Sequence, residues 1–350
     1  MDVVFRKRSD TREIPPFPVS YSDEFEVFMK KHPESSIPNK TRKLWLYGEV
    51  IHSFIASREE LFEGHLIDEL DIPEMMKWVI FRSLSEESRT VKRTRVMAII
   101  NATPDSFYKG SRFKGDLAAI DRILDSSPDI IDVGGESTRP GSSEISQEEE
   151  IERLTPVIDY ISSSSKIRIS LDTRHPKVLA KFADRISFAN DITGFSSNEM
   201  IKTAAEFGLS CNVMHMRGTP ETMNQMTEYS DLEYEIIRFL YERIGKILEF
   251  GIEQKNIIVD PGIGFAKNFS QNLMILRNAR SFKFGYDLLI GASRKSFIGK
   301  IVDKDEEGRL SGSLAVAAWA ALHGVDILRV HDPDETIQVL KVLNAIRELQ

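Results

Sequence analysis

The residue types able to do chemistry recur at one kind of place. Asn101, Asp132, Asp172, Asn190, His215, Asp260, Lys295, Arg329 and His331 each stand at or near the end of a short apolar run. Asp172, Asn190 and Asp260 offer acceptors and one amide donor group, and Lys295 is a compact cation with three donors. A carboxylate in such a place can grip the N–C–N edge of a fused nitrogen heterocycle through two parallel hydrogen bonds, with an Asn reading the next ring nitrogen. A second group suits an anion. Thr138-Arg139, following Gly134-Gly135, can join Arg329, His331 and Asn101 around a diphosphate, because glycines let backbone N–H groups approach and arginine grips oxygens in pairs. Asn101 can also hold a divalent ion through its carbonyl oxygen, since magnesium takes few protein ligands beside phosphate and water.

Plainer readings compete. Asp172, just before Thr173-Arg-His-Pro176, suits a helix cap. Arg329 and His331 could simply pair with nearby carboxylates, although His331-Asp332-Pro333 abuts a helix start and favours the anion reading. Asp260 resists a plain reading, because a carboxylate closing an apolar strand needs a partner. Met214 and Met216 flank His215 as lining; a ring held between Met214 and the face of Arg329 is the special case. Other chemistries are excluded. Gly262-Ile-Gly-Phe-Ala-Lys267 only superficially resembles a phosphate-binding P-loop, Ser293 lacks the glycine of a nucleophile elbow, and His175, His215 and His331 lack zincin spacing.

The elements that must position these residues alternate. Strands are expected at Val96 to Ile100, Ile130 to Val133, Ile167 to Leu171, Ile186 to Ala189, Cys211 to Met214, Ile257 to Val259, Leu288 to Ile290 and Ile327 to Val330. Helices fall between them. One opens at a capping box, Ser146-Gln-Glu-Glu149, and another at Asp332-Pro333-Asp334-Glu335. A long one carries Ile236, Phe239, Leu240, Ile244, Ile247 and Leu248 on one face and stops at Gly251. Eight strand–helix units over about 255 residues fit a closed (β/α)8 TIM barrel, an α/β fold whose chemistry sits at the C-terminal strand ends. An open doubly wound sheet is the rival, weakened by the missing G-x-G-x-x-G. The expected division is therefore a barrel over 94–350 and a small N-terminal α+β extension over 1–93. In the extension, Arg12 to Pro18 reads as an arm and Asp23 to Lys31 as a short helix. Strands are expected at Leu44 to Tyr47 and Val50 to Ile55, and helices at Glu59 to Leu70 and Pro73 to Arg82. It carries no catalytic motif.

Composition bounds the partners. The chain has 350 residues, 41% hydrophobic and 29% charged, with a net charge of −8, which argues against a chain-wide nucleic-acid surface. The single cysteine, Cys211, excludes an internal disulfide and a multi-cysteine metal site. No apolar run is long enough to span a membrane and the N-terminus turns charged at once, so the cytoplasm is the default location.

Nine motifs, in order, carry a family resemblance: Asn101-Ala-Thr-Pro-Asp-Ser-Phe107, Ile131-Asp-Val-Gly-Gly-Glu-Ser-Thr-Arg-Pro-Gly141, Ser170-Leu-Asp172-Thr, Asn190-Asp-Ile, Met214-His-Met, Asp260-Pro-Gly-Ile-Gly-Phe265, Ser293-Arg-Lys-Ser296, Arg309-Leu-Ser-Gly-Ser-Leu314 and Arg329-Val-His331-Asp. From about Arg95 onward the chain resembles dihydropteroate synthase, the pterin-binding barrel enzyme of folate synthesis. The resemblance implies condensation of 6-hydroxymethyl-dihydropterin diphosphate with p-aminobenzoate: diphosphate leaves first in an SN1-like step, then the arylamine attacks. It implies a catalytic set of Asn101, Thr138, Arg139, Lys295, Arg329 and His331, with Asn101 on magnesium. Asp132, Asp172, Asn190, Asp260 and Lys295 would meet the pterin, walled by Met214, Phe265 and Gly291 with Arg329 stacked over it. Thr138, Arg139, Pro140, Ser293 and Ser296 would frame the p-aminobenzoate, and Phe107 would come from the first loop. It further implies a homodimer through the last helices.

One departure stands out. After Phe107 the family pattern has Ser-Asp-Gly-Gly, and this chain has Tyr108-Lys109-Gly110-Ser111; Ala102 also replaces a usual valine. Lys109 is expected to contact the leaving group, or else the amine acceptor is a modified p-aminobenzoate. Unchanged kcat and pterin KM in Lys109→Asp would remove the first idea, and a normal KM for p-aminobenzoate the second. Two other classes are weighed: a methyltransferase that passes a methyl from a reduced pterin to a corrinoid protein, which would not need Thr138-Arg139 or Ser293-Arg-Lys-Ser296, and a non-catalytic pterin-binding scaffold.

Overall fold

A computed structural model gives the structure of the protein. It describes residues 93–102, 113–137 and 144–347, with short strands at 3–4, 6–7, 28–29, 44–46 and 52–54. The expected arm, the helices at 59–70 and 73–82, and the candidates Phe107, Lys109, Thr138, Arg139 and Pro140 lie outside the described residues.

Eight parallel strands close into a barrel: β1 Arg95–Asn101, β2 Ile130–Gly134, β3 Arg168–Asp172, β4 Phe188–Asp191, β5 Ser210–Met214, β6 Ile257–Asp260, β7 Asp287–Ile290 and β8 Ile327–Val330. Closure runs through β8 and β1, with Leu328 opposite Val96 and Arg329 opposite Met97. The open-sheet alternative is thereby excluded. Observed strands mostly end one or two residues later than their apolar runs, since the parallel ladder continues into the polar tips Asp172, Asp191 and Asp260. Hydrogen bonding defines a strand's end; apolar character defines only what it buries.

Helices α1 Phe113–Asp125, α2 Gln147–Ser164, α3 Pro176–Phe182, α4 Asn198–Glu206, α5 Leu232–Glu249, α6 Phe269–Arg277, α7 Ser296–Val302, α8 Leu310–Leu322 and α9 Pro333–Arg347 follow the strands. Ile236, Leu240, Ile244 and Ile247 bury one stripe of α5 against the barrel. Gly251 then takes a left-handed φ of +87°, which glycine adopts without strain. A separate cluster of Met97, Ile130, Phe188, Ile258, Leu289 and Ile327 fills the lower barrel interior. Cys211 is fully buried on β5. The strands' N-terminal side is tied by carboxylates: Asp129 Oδ2 accepts the Val96 N–H at 2.9 Å and Asp326 Oδ2 the Leu288 N–H at 2.8 Å.

Two expected caps differ. Ser146 caps α2 by accepting the Glu149 N–H at 3.1 Å, but the Glu149 side chain turns to Arg153 instead of closing the box. Asp332 does not cap α9 with its carboxylate, which is held by Arg294. Before the barrel, strands stand at Leu44–Leu46 and His52–Phe54, within the two segments expected to be strands, and they pair antiparallel. Phe28–Met29 is a strand paired with Val3–Val4, where a helix over Asp23 to Lys31 was expected. Long-range pairing there outweighs a weak local helical pattern.

Candidate active site

Strand register sets the site. Asn101 lies opposite Gly134, Gly134 opposite Asp172, Asp172 opposite Asn190, and Asn190 opposite Asn212. On the next pair, Met214 lies opposite Asp260. Polar side chains thus stand at one level around the C-terminal end of the barrel.

Arg329 organises the centre. Its Nε donates to Asp132 Oδ2 at 2.6 Å and its Nη2 to Asp172 Oδ2 at 2.6 Å. The plain reading of Arg329 as the partner of barrel carboxylates is therefore realised. Among the described residues two of its five N–H donors find partners, which leaves others able to meet an anion and its face able to meet a ring. Asp172 does not cap a helix: His175 occupies the N-cap of α3, and Asp172 faces Arg329. Asp132 is fully buried and also accepts the Asn190 Nδ2–H at 3.1 Å. Its other oxygen, Oδ1, is buried and meets no partner among the described residues.

Burial pushes the Asp172 carboxyl up to about 7, opposed by the Arg329 charge and aided by Asp132 and Glu150. Burial raises Asp260 as well, opposed by the Gly262 N–H, which donates at 2.7 Å, and by the charges of Lys295 and Lys267. Lys295 is lowered to about 8 by burial, with Asp260 opposing and Arg329 adding. Its Nζ donates to the Ile263 carbonyl and lies 4.6 Å from the Phe265 ring centroid. Asp260, Lys295 and Phe265 therefore share one side of the mouth. Met214 is buried beside Ile192, Met216, Met223 and Ala266, with Phe265 packed on that cluster.

Next to them, the ends of β7 and β8 bring Ser293 and His331 together. The Ser293 Oγ accepts the His331 backbone N–H at 3.2 Å and lies 3.2 Å from its Nδ1. A hydroxyl that accepts one bond can donate its own proton to Nδ1, which leaves Nε2 as the N–H donor. Burial and the Arg329 charge lower His331 to about 4, so the imidazole is neutral in the free protein. It can therefore offer an anion an N–H donor rather than a positive charge. Between Ser293 and Lys295, Arg294 adopts a left-handed φ of +56°. Its fork on Asp332 at 2.9 and 2.6 Å and its N–H to Ser313 Oγ at 2.9 Å hold that strained turn. Gly291 is partly exposed and Ser296 exposed at the start of α7; Asn101 is exposed at the end of β1.

Several residues escaped the sequence reading. Asn212 donates its Nδ2–H to Asn190 Oδ1 at 2.8 Å. Lys267, nearly fully buried, contacts His215 Nδ1 at 2.9 Å and the Phe265 carbonyl at 2.8 Å, so His215 is turned to a lysine rather than to the Arg329 cluster. Glu136 and Glu144, which flank the Thr138–Pro140 segment, are both paired with Arg174, at 3.0 and 2.9 Å. The signal for Asn212 was parity: it shares an inward face with Met214, two residues on.

A closed parallel barrel with a charged cluster at its C-terminal mouth places the chain in the (β/α)8 barrel class, whose chemistry sits at that end. The match to known proteins is more specific: the chain belongs to the pterin-binding enzyme family, whose model matches residues 97–331. It is 40% identical over 263 residues to the dihydropteroate synthase of Escherichia coli K12, covering 74% of this chain and 93% of that one. The crystal structure of the Yersinia pestis dihydropteroate synthase with a sulfonamide drug complex superposes with a TM-score of 0.70 and 35% identity, covering 74% of this chain and 96% of that one. The Xanthomonas albilineans dihydropteroate synthase with 4-aminobenzoic acid gives 0.69 and 33%, covering 74% and 95%. The activity is that of a dihydropteroate synthase, a transferase of folate biosynthesis.

Proposed function

We propose that the barrel mouth is divided into a pterin side and a leaving-group side. Asp260 grips the amidine edge of the pterin, Asn190 and Asp172 read the neighbouring ring nitrogens, and Lys295 donates to the opposite edge, with Met214, Phe265 and Gly291 as walls. Arg329 stacks on the ring and points its unused N–H donors at the diphosphate. Neutral His331 donates Nε2–H there, and Thr138 and Asn101 complete that side. Arg139, Pro140, Ser293 and Ser296 bound the p-aminobenzoate, and Phe107 comes from the first loop. The observation that carries this reading is the pairing of Arg329 with Asp132 and Asp172 beside Asn190. It holds a cation rigidly where a leaving anion needs one.

The chain's share of the reaction is orientation and electrostatics. The bond between the pterin methylene and the diphosphate oxygen breaks, its electron pair leaves with diphosphate, and the resonance-stabilised pterin cation is taken by the arylamine nitrogen, which then loses a proton. No described side chain needs to act as nucleophile. A magnesium ion, if bound, would neutralise diphosphate charge. Among the described residues no cluster of His, Cys, Asp or Glu is arranged for a metal. A single amide oxygen at exposed Asn101 fits an ion that arrives with its phosphate and water ligands. The division into an extension over 1–93 and a barrel over 94–350, and dimerisation through the last helices, belong to the same proposal. Exposed Leu322 on α8 and Val342 and Ile346 on α9 support the latter.

The test is purified full-length protein with the pterin diphosphate, p-aminobenzoate and magnesium, followed for dihydropteroate. Asp260→Asn and Arg329→Met are expected to lower kcat/KM by about 10²-fold or more. Wild-type turnover that survives both substitutions would overturn the assignment of roles.

A further inference from the structure

Asn212 is a buried amide that no motif quoted above includes. It lies on β5 between Cys211 and Val213 and is 1% exposed. Its Nδ2 donates to Asn190, while its own Oδ1 meets no partner among the described residues. A half-satisfied amide fills a barrel interior worse than valine or leucine would. What it supplies in return is the bond to Asn190.

The direction of that bond follows from a charge two side chains away. A guanidinium only donates, so Asp132 meets Arg329 as an acceptor. The same Oδ2 takes a hydrogen from Asn190, which must therefore turn its Nδ2 towards β2. The Asn190 Oδ1 is left facing β5, where only a donor fits, and Asn212 presents one. The order Arg329 to Asp132, Asn190 to Asp132, Asn212 to Asn190 has one consistent polarity across four strands. An apolar residue at 212 would leave the Asn190 amide held at one end only.

We propose that Asn212 is a positioning residue: it fixes the orientation of the Asn190 amide, so that Asn190 shows a pterin ring one unvarying pair of donor and acceptor. This rests on the reading that Asn190 faces the pterin. The test compares Asn212→Asp and Asn212→Leu with wild type in the full chain. KM for the pterin diphosphate is expected to rise about tenfold in both, the effect of one lost buried hydrogen bond, with KM for p-aminobenzoate within about twofold. For Asn212→Asp, the ratio of its pterin KM to that of wild type should shrink as pH falls from about 8 to about 6. A protonated carboxyl regains a donor for Asn190 Oδ1, whereas leucine cannot. Asn212→Thr keeps a hydroxyl donor in a filled site and is expected within about threefold of wild type; it also serves if the other two fail to fold. Equal losses for both substrates, a pH-independent defect in Asn212→Asp, or a threonine variant as impaired as leucine would overturn the proposal. Wild-type protein that forms no dihydropteroate would instead remove the reading beneath it.

Discussion

Asp172 and Lys295 stand on the two sides of neutrality for opposite reasons. Burial lifts the carboxyl to about 7 despite Arg329, and burial lowers the ammonium to about 8 despite Asp260. As pH falls through 7, Asp172 takes up a proton and its hold on Arg329 weakens. As pH rises through 8, Lys295 loses its proton and its charge. The free-enzyme parameter, kcat/KM for the pterin diphosphate, is therefore expected to be a narrow bell between these values. Asp172→Asn should remove the acid limb and Lys295→Met the alkaline limb, each with a lower maximum. Limbs that persist in both variants would show that other groups titrate. His331, lowered to about 4, contributes to neither limb. None of these ionisation states was legible in the sequence. Asp132 and Arg329 are 197 positions apart, and only closure of the barrel through β8 and β1 makes them partners.

At the scale of elements, the loop after β6 is the tightest joint of the site. Gly262 has a φ of +72°, and a Cβ there would lie 2.0 Å from the His215 carbonyl oxygen at the end of β5. Its N–H is also the donor to Asp260 Oδ1. Gly262→Ala should therefore unfold more easily and bind the pterin diphosphate more weakly. Gly324 isolates the backbone part of the effect, with a φ of +80° and nothing within 4 Å of an added carbon. Gly324→Ala is expected to cost about 1–2 kcal/mol, and Gly262→Ala roughly 1–3 kcal/mol more, in denaturant or thermal unfolding. Equal costs would mean that the β5–β6 joint yields. The strands themselves were readable, because a parallel barrel buries both faces of each and leaves short apolar runs. Their last residues were not, since Asp172, Asp191 and Asp260 are polar yet remain in the ladder. Asn212 was hidden for the opposite reason: a polar residue inside an apolar run looks like an interruption until its parity with Met214 is noticed.

For the whole molecule, the last two helices carry apolar side chains that the described residues do not cover. Leu322 is 54% exposed, Val342 62% and Ile346 57%. Under the proposed dimer these are interface residues, and Val342→Glu with Ile346→Glu should halve the mass seen by light scattering at micromolar concentration. An unchanged mass would place the partner surface elsewhere or leave the protein monomeric. The barrel also contains a feature with a practical use. Cys211 is the chain's only cysteine, lies wholly buried on β5, and has its thiol pushed up by burial and by nearby Asp191. A thiol-seeking dye can reach it only when the strands part, so labelling becomes a stopwatch for spontaneous opening. The expected record is one adduct per chain in concentrated urea and almost none over the same interval in buffer. Slower uptake with the pterin diphosphate present would measure how firmly the substrate keeps the barrel shut.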